Sequence, residues 1–460
     1  MKNRKRFFKF ILLTGDIILI YSALFLALRV RYGDFSFWIS TQIKVILFHF
    51  SFIFFFWFIF LYILDFYEIP PLKKVFDFFR NLLIFIFSAG ALGAVYFYIR
   101  PETLITPRIT LFLNALIFSV LFCGWRYIFS HILKLKNFRE KIAVIGFKPG
   151  LEEVIDNQIL SRAGYEISVF FNPETFSLEK FSHFLSLAKY GVVFDIKELR
   201  EIIKKERIGT VVFPRFLTGN EKIIQQIFSN LPLRMNYVSL AAFYEIIKKK
   251  VSLEVIDEIW FLENLARSER GVGEILKRGF DILFSVAGLL AVAVLFPFIS
   301  LAIKLDSPGN IFYSQKRVGK DGKQFTLYKF RSMKESPDQN RCPWREKDQS
   351  QITKVGRFLR RTHLDEIPQF WSILKGDLSF VGPRPEWAIL AKDFEKEIPF
   401  YRQRCLVRPG FTGWAQLHYL ASTSVEEARE KFQYDLYYIK NRNLFLDLGI
   451  ILKTIRIIFK

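Results

Sequence analysis

Two adjacent carboxylates, Asp365 and Glu366, stand in the stretch "RTHLDEIPQFWSILKGD" of a chain whose formal net charge is +22. Read locally, the pair has a structural explanation. A proline is tolerated in the first turn of a helix and not in its interior. That makes Asp365 the N-cap, Glu366 the first helical residue and Pro368 the third. Lys375 then falls in the last turn, and Gly376 is a natural terminator. Such a cap is worth about 1 kcal/mol. The neighbourhood points to chemistry as well. Lys354, Arg357, Arg360 and Arg361 precede the pair, and "YKFRSM" further upstream carries Lys329 and Arg331. Downstream, Arg384 sits between Pro383 and Pro385 in "GDLSFVGPRPEW", and "VRPGFTGWAQ" carries Arg408 and Gln416. Arginines on turns stiffened by Pro and Gly suit the bidentate geometry of phosphate oxygens. A carboxylate at a helix start among such cations can hold Mg²⁺ or attack phosphorus.

The elements that must position these residues include long apolar runs. Of the 460 residues, 51% are hydrophobic and 54 are Phe, more than soluble cores need. A soluble protein this basic would suggest nucleic acid. With such apolar runs, the charge fits instead a membrane protein facing anionic lipid or phosphorylated substrates, and no nucleic acid is expected. Four segments, Phe8–Leu28, Val45–Leu64, Leu82–Ile99 and Ile109–Leu133, are near the roughly 20 residues a bilayer-crossing helix needs. The first follows "MKNRKR" without a small-residue cleavage site and reads as an anchor. Lys and Arg concentrate at the N-terminus (Lys2, Arg4, Lys5, Arg6), in the second loop (Lys73, Lys74, Arg80) and at the exit (Lys134, Lys136, Arg139). That distribution places both ends of the block in the cytoplasm. Asp16 inside the first span is either an inter-helix contact or a functional group. Cys123, Cys342 and Cys405 form neither a disulfide framework nor a metal-ligand spacing, and no zinc site is expected among the scattered histidines.

Next come "EKIAVIGFKPG", "ISVFF", "YGVVFD" and "IGTVVFP", alternating with helical stretches such as "IKELREIIKKER". This alternation predicts a parallel α/β domain over 137–260. Its first turn has Gly146 and Gly150 with Pro149 between them, not the G-x-G-x-x-G of a dinucleotide fingerprint. Residues Ile282–Ile303 form a fifth apolar run containing Pro297. If it crossed the membrane, the Lys- and Arg-rich remainder would have to be translocated. A re-entrant helix over about 277–304, entering and leaving one leaflet, avoids that. The C-terminal "LFLDLGIILKTIRIIFK" suits an interfacial helix and core packing equally.

The motifs "LKRGFDI", "IKLDSPG", "SQKRVGKDGKQFTLYKFRSM", "RRTHLDEIPQFW", "LKGDLSFVGPRP", "RPGFTGWAQ" and "YDLYYIKN" closely resemble the bacterial sugar transferase family, the polyprenyl-phosphate hexose-1-phosphate transferases. The resemblance runs in order from Lys277 to the C-terminus. It implies four transmembrane helices over 1–136, a degenerate Rossmann-like domain over 137–260 and an α+β catalytic domain over 261–460. It also implies an enzyme of the bacterial inner membrane, working on its cytoplasmic face. Asp365 would attack the sugar-bearing phosphate of a UDP-sugar and release UMP, and the phosphosugar would pass to polyprenyl (undecaprenyl) phosphate. This step would open the assembly of an exopolysaccharide, capsule or O-antigen glycan. Glu366 would act as base or in positioning, and Mg²⁺ would sit at Asp365, with Glu366 a second ligand candidate. Arg360 matches an arginine that contacts the donor, and Arg384 falls in the family's Pro-Arg-Pro turn. Asp435 matches an acidic position with either a binding or a structural role. Lys277 and Arg278 match a pair at the membrane boundary that would meet the carrier phosphate. The family's Ser-Pro break would align with Ala293–Val294, whereas this chain has Phe296–Pro297. The α/β domain is a candidate dimer-forming or regulatory module. A membrane-anchored nucleotide-sugar dehydratase or epimerase would need an intact glycine fingerprint, and a non-catalytic assembly protein would not need Asp365.

Overall fold

The computed structural model describes residues 2–33, 41–67, 75–99, 107–135, 139–145, 157–171, 191–193, 195–213, 225, 229, 235–254, 256–265, 271–334, 351–419 and 424–458. The turn with Gly146, Pro149 and Gly150 lies outside them, as do Lys73, Lys74, Lys136 and Cys342. The chain divides into two compact units, Met1–Ile142 with Ile155–Ser168 and Ile202–Thr210, and the remainder to Lys460.

Four apolar helices open the chain: α1 (Lys2–Tyr32), α2 (Thr41–Ile63), α3 (Val75–Ile99) and α4 (Pro107–Leu135). Each is long and apolar enough to cross a membrane. Their core is aromatic, with Trp57 set edge-on to Phe85 and Phe66 edge-on to Phe122. Glycine permits a close approach: a Cβ on Gly15 would lie 2.6 Å from the Trp125 ring. Asp16 is the inter-helix contact. Its Oδ2 accepts from Arg126 Nη2 at 2.6 Å, with Asp16 0% and Arg126 7% exposed. Breaking a buried pair by removing one partner leaves an uncompensated charge and costs about 3–5 kcal/mol. Asp16→Leu should therefore lower the thermal midpoint of the purified protein. Adding Arg126→Leu should recover most of the loss; a double variant no more stable than the single one would contradict this.

Nine strands follow among the described residues. The first five, β1 (Glu140–Ile145), β2 (Tyr165–Phe171), β3 (Gly191–Val193), β4 (Thr210–Phe213) and β5 (Asn236–Ser239), form one sheet in the order β3-β2-β1-β4-β5, with β2 and β3 parallel. Helices α5 (Asn157–Ala163) and α6 (Ile196–Glu206) lie between strands in sequence, and α7 (Leu240–Lys248) and α8 (Glu258–Leu265) follow β5.

The C-terminal region begins with α9 (Val272–Asp306), 35 residues without interruption at Pro297. At 1.5 Å per residue it is about 52 Å long. It too is long and apolar enough to cross a membrane. The helix is inverted relative to a soluble one. Phe280, Leu283, Leu290, Val294 and Phe298 are exposed, while Asp281 and Ser285 are buried. Lys277, Asp281, Ser285 and Gly288 recur at the three- to four-residue spacing that marks one helical face. Asp281 Oδ1 accepts from Phe380 N at 3.0 Å, and a Cβ on Gly288 would strike the Phe370 ring.

A hairpin comes next, β6 (Phe312–Val318) against β7 (Gln324–Phe330), antiparallel and in register from Phe312↔Phe330 to Val318↔Gln324. Then come α10 (Lys354–Arg361), a 3₁₀ turn (Leu364–Gln369), α11 (Phe370–Lys375), β8 (Ser379–Val381), α12 (Ala388–Glu397), a second 3₁₀ turn (Tyr401–Leu406), β9 (Gly410–Thr412), α13 (Trp414–His418), α14 (Val425–Asn441) and α15 (Leu444–Ile458). Strands β8 and β9 pair in parallel. A Cβ on Gly410 would lie 2.0 Å from Gly382 N, so these backbones meet where only glycine fits. Both ends of α9 are tied into this unit. Near its start Arg278 donates to the Ile373 and Leu374 carbonyls, each at 2.7 Å. At its end Asp306 Oδ2 accepts from Val355 N at 2.8 Å, at the start of α10.

Candidate active site

The carboxylate pair is presented by the 3₁₀ turn. His363, in the left-handed region at φ 55°, begins it, and neither His363 nor any later side chain caps it. This corrects the cap expected from sequence: Asp365 lies inside the turn, not at its N-cap. Pro368 lies inside the 3₁₀ segment, which ends at Gln369, and α11 continues from Phe370. Gly376 terminates α11 as expected, at φ 94°, donating to the Ser372 and Ile373 carbonyls.

The two carboxylates have different environments. Glu366 Oε1 accepts from Lys329 Nζ at 2.5 Å and from Arg384 Nη2 at 3.1 Å. Burial alone would raise its carboxyl, but the Arg384 and Lys329 charges and hydrogen bonds hold it down at about 2. Asp365 is 7% exposed and has no side-chain hydrogen bond among the described residues. Burial pushes its pKa up; Lys329 opposes this, the Glu366 charge adds to it, and Arg360 and His363 oppose it. One member is thus a fixed anion and the other an open carboxylate. A carboxyl held at about 2 is a poor proton acceptor near neutrality. The two hydrogen bonds to Glu366 suit the positioning role among the two expected for it.

Arg360 lies on α10, donating Nε to Ser332 Oγ at 3.0 Å and Nη2 to Met333 Sδ at 3.1 Å, with its charge felt at Asp365. Arg361 and Arg408 are exposed. Gln416 Nε2 donates to Phe411 O at 3.3 Å, and its Oε1 is buried without a hydrogen bond. Pro383 O accepts from Gly410 N at 2.8 Å, which seats the Pro-Arg-Pro turn on β9.

Four of the expected binding residues make contacts inside the protein. Arg331 donates to Ser307 O at 2.6 Å. Lys277 donates to Val381 O (2.8 Å), Tyr438 OH (3.1 Å) and Asp447 Oδ2 (2.6 Å). Arg278 caps the C-terminal carbonyls of α11, where a cation also complements the helix dipole. Asp435 is buried and accepts from Arg404 Nη2 at 2.8 Å. Arg404 in turn donates to Arg384 O at 3.0 Å and pairs with Glu386 Oε1 at 3.2 Å. Lys431 completes the cluster on Glu386 at 2.5 Å. Arg404 belongs to no motif read from the sequence, and Glu386 lies in "GDLSFVGPRPEW" without a role read for it there. Lys329 carried a signal, since it shares "YKFRSM" with Arg331; strand alternation alone would put both on one face, but β7 ends at Phe330 and Arg331 lies beyond it.

A Mg²⁺ ion fits the donors in one way. Among the described residues, no group of three or more His, Cys, Asp or Glu side chains is arranged to hold a metal. Glu366 Oε1 is already taken, which leaves Asp365 as the open carboxylate. Mg²⁺ is commonly held by one or two carboxylates plus substrate phosphates and water.

The family description "Bacterial sugar transferase" matches residues 272–460. The chain is 43% identical over 183 residues to the UDP-N-acetylgalactosamine-undecaprenyl-phosphate N-acetylgalactosaminephosphotransferase of Aeromonas hydrophila, covering 40% of this chain and 43% of that one. It is 40% identical over 187 residues to the UDP-glucose:undecaprenyl-phosphate glucose-1-phosphate transferase of Escherichia coli K12, covering 40% of each. It is also 40% identical over 187 residues to the exopolysaccharide production protein PSS of Rhizobium leguminosarum bv. phaseoli, covering 39% of this chain and 94% of that one. The chain thus spans about two fifths of the length of the first two relatives and nearly all of the third. It belongs to the bacterial sugar transferase family.

The Glu366 environment sets a pH dependence. Its carboxyl is lower in the fold than its ordinary 4.5, so its contribution to stability is full above pH 4.5 and is lost as pH falls toward about 2. Denaturant unfolding of wild type and Glu366→Gln should therefore differ most above pH 4.5 and converge below it. A stability gap that stays constant down to pH 3 would contradict the clamp.

Proposed function

We propose that this protein is a phosphoglycosyl transferase that moves a hexose-1-phosphate from a UDP-sugar to polyprenyl phosphate. The observation that carries the reading is the unequal carboxylate pair: Glu366 is held by two cations, and Asp365 is open beside them. An Asp365 oxygen attacks the sugar-bearing phosphorus of the donor. A P–O bond forms, the bond to the bridging oxygen breaks, and its electron pair leaves on UMP. A phosphate oxygen of the carrier then attacks the same phosphorus and returns Asp365 as carboxylate. Splitting the transfer makes two easier steps from one hard one. Arg384 and Lys329 keep Glu366 ionised and in place, and Arg360 faces Asp365 with positive charge. A Mg²⁺ held by Asp365 and the diphosphate would supply further charge neutralisation. The named activities of the relatives support this reading, and the name of the third supports a role at the start of exopolysaccharide assembly.

In the same proposal, the first four helices span the inner membrane with both ends cytoplasmic. The exposed apolar face of α9 meets lipid, and α9 enters and leaves one leaflet without a break at Pro297. A membrane-impermeant label on a cysteine placed at Lys320 is expected to react only after the cytoplasmic side is opened; labelling of intact cells from outside would sink this topology. The five-stranded sheet runs in the order of the first five strands of the doubly wound 3-2-1-4-5-6 arrangement. We read it as a degenerate Rossmann-like module that joins two copies, and the mass of the purified particle tests that.

Incubation with polyprenyl phosphate, Mg²⁺ and a panel of UDP-sugars should release UMP with at least one donor. Asp365→Asn should reduce that release by about a thousandfold or more, an effect of about 4 kcal/mol on the barrier. A variant that still releases UMP at the wild-type rate contradicts the assignment of Asp365.

A further inference from the structure

Arg317, near the end of β6, lies within electrostatic reach of Glu366 and Arg384. Its neighbourhood is fixed by backbone contacts. Arg317 bridges Trp387, and Val318 N donates to Glu386 O at 3.0 Å, so the end of β6 lies along the chain leaving the Pro-Arg-Pro turn. The guanidinium donates Nη1 to Pro385 O at 3.2 Å and Nη2 to Gln315 Oε1 at 2.6 Å. Both acceptors are neutral. Its Nε is buried and has no hydrogen-bond partner.

The nearby carboxylates are committed elsewhere. Glu366 is shared by Lys329 and Arg384, and Glu386 by Arg404 and Lys431. Arg317 feels the charges of Arg384, Glu386 and Glu366 without an ion pair to either acid. Burial first, and then the like charge of Arg384, lowers its affinity for its proton. A partly buried guanidinium with no counter-ion among the described residues, close to the charge of a second guanidinium, is costly unless an anion joins it. Two such forks side by side suit neighbouring phosphate groups. The bonds to Pro385 and Gln315 fix the direction of the fork without using its charge.

We propose that Arg317 is a donor-binding residue that grips the diphosphate of a nucleoside-diphosphate substrate together with Arg384. The proposal rests on the donor reading given above for the same site, but its test does not require turnover. UDP is titrated calorimetrically into the purified full-length chain, wild type, Arg317→Gln and Arg317→Lys, with thermal midpoints recorded in parallel. Wild type should bind UDP, and Arg317→Gln should bind it about tenfold or more weakly, the usual worth of a charge-assisted hydrogen bond. Arg317→Lys should fall between them, since it keeps the charge and loses the fork. UDP binding by Arg317→Gln equal to wild type overturns the proposal, as does a wild type that does not bind UDP. If Arg317→Gln is too unstable to titrate, Arg317→Lys decides. Weaker UDP binding at an unchanged midpoint supports the proposal, and wild-type affinity overturns it. If no UDP-sugar yields UMP while UDP binding still depends on Arg317, the reaction reading falls and this one stands.

Discussion

The clamp on Glu366 is the constraint on which the rest of the site depends. Lys329 comes from the hairpin, Arg384 from the Pro-Arg-Pro turn and Glu366 from the 3₁₀ turn, so one carboxylate joins three segments distant in sequence. Asp365 next to it has no side-chain hydrogen bond among the described residues, and burial first, with the Glu366 charge adding to it, raises its pKa. Two carboxylates one residue apart thereby acquire different chemical characters from their surroundings.

Holding Arg384 in place requires support behind it, and the buried cluster provides it. Arg404 grips the Arg384 carbonyl, Asp435 grips Arg404, and Glu386 is shared by Arg404 and Lys431. Buried charges of this kind are tolerable because each has a partner. The turn itself is seated by the meeting of Gly382 and Gly410, where a side chain on either would collide with backbone. The 3₁₀ turn is supported from the other side by α9. Arg278 holds the carbonyls at the end of α11, Asp281 holds β8, and Gly288 admits Phe370. The helix that offers its apolar face outward is therefore also the beam against which the carboxylate pair is fixed.

Much of this was legible in the sequence. The four apolar helices follow from run length, and the alternating strands and helices from hydrophobic periodicity. The carboxylate pair and its basic surroundings follow from residue type and spacing, and Gly376 ends α11 where a glycine should. What the sequence could not convey was direction. Lys277 and Arg331 read as phosphate ligands because they are cations in basic motifs, yet each turns to an acceptor distant in sequence, Asp447 and Ser307 respectively. The cap assigned to Asp365 failed because a left-handed His363 starts the turn earlier than Pro368 alone would suggest. Arg404 was invisible because its meaning lies in Asp435, 31 residues away. The break expected in α9 at Pro297 is absent from the helix itself, which runs through it.

The central claim is that Asp365 carries the phosphosugar between donor and carrier. It is tested most directly by mixing the full-length protein with an accepted UDP-sugar labelled in its sugar-bearing phosphate, without polyprenyl phosphate, and stopping the reaction within milliseconds. Proteolysis and mass spectrometry should then find the hexose phosphate on the peptide containing Asp365, in an amount matching the UMP released. UMP release with no mass added to that peptide, or with the label on another residue, would contradict the account.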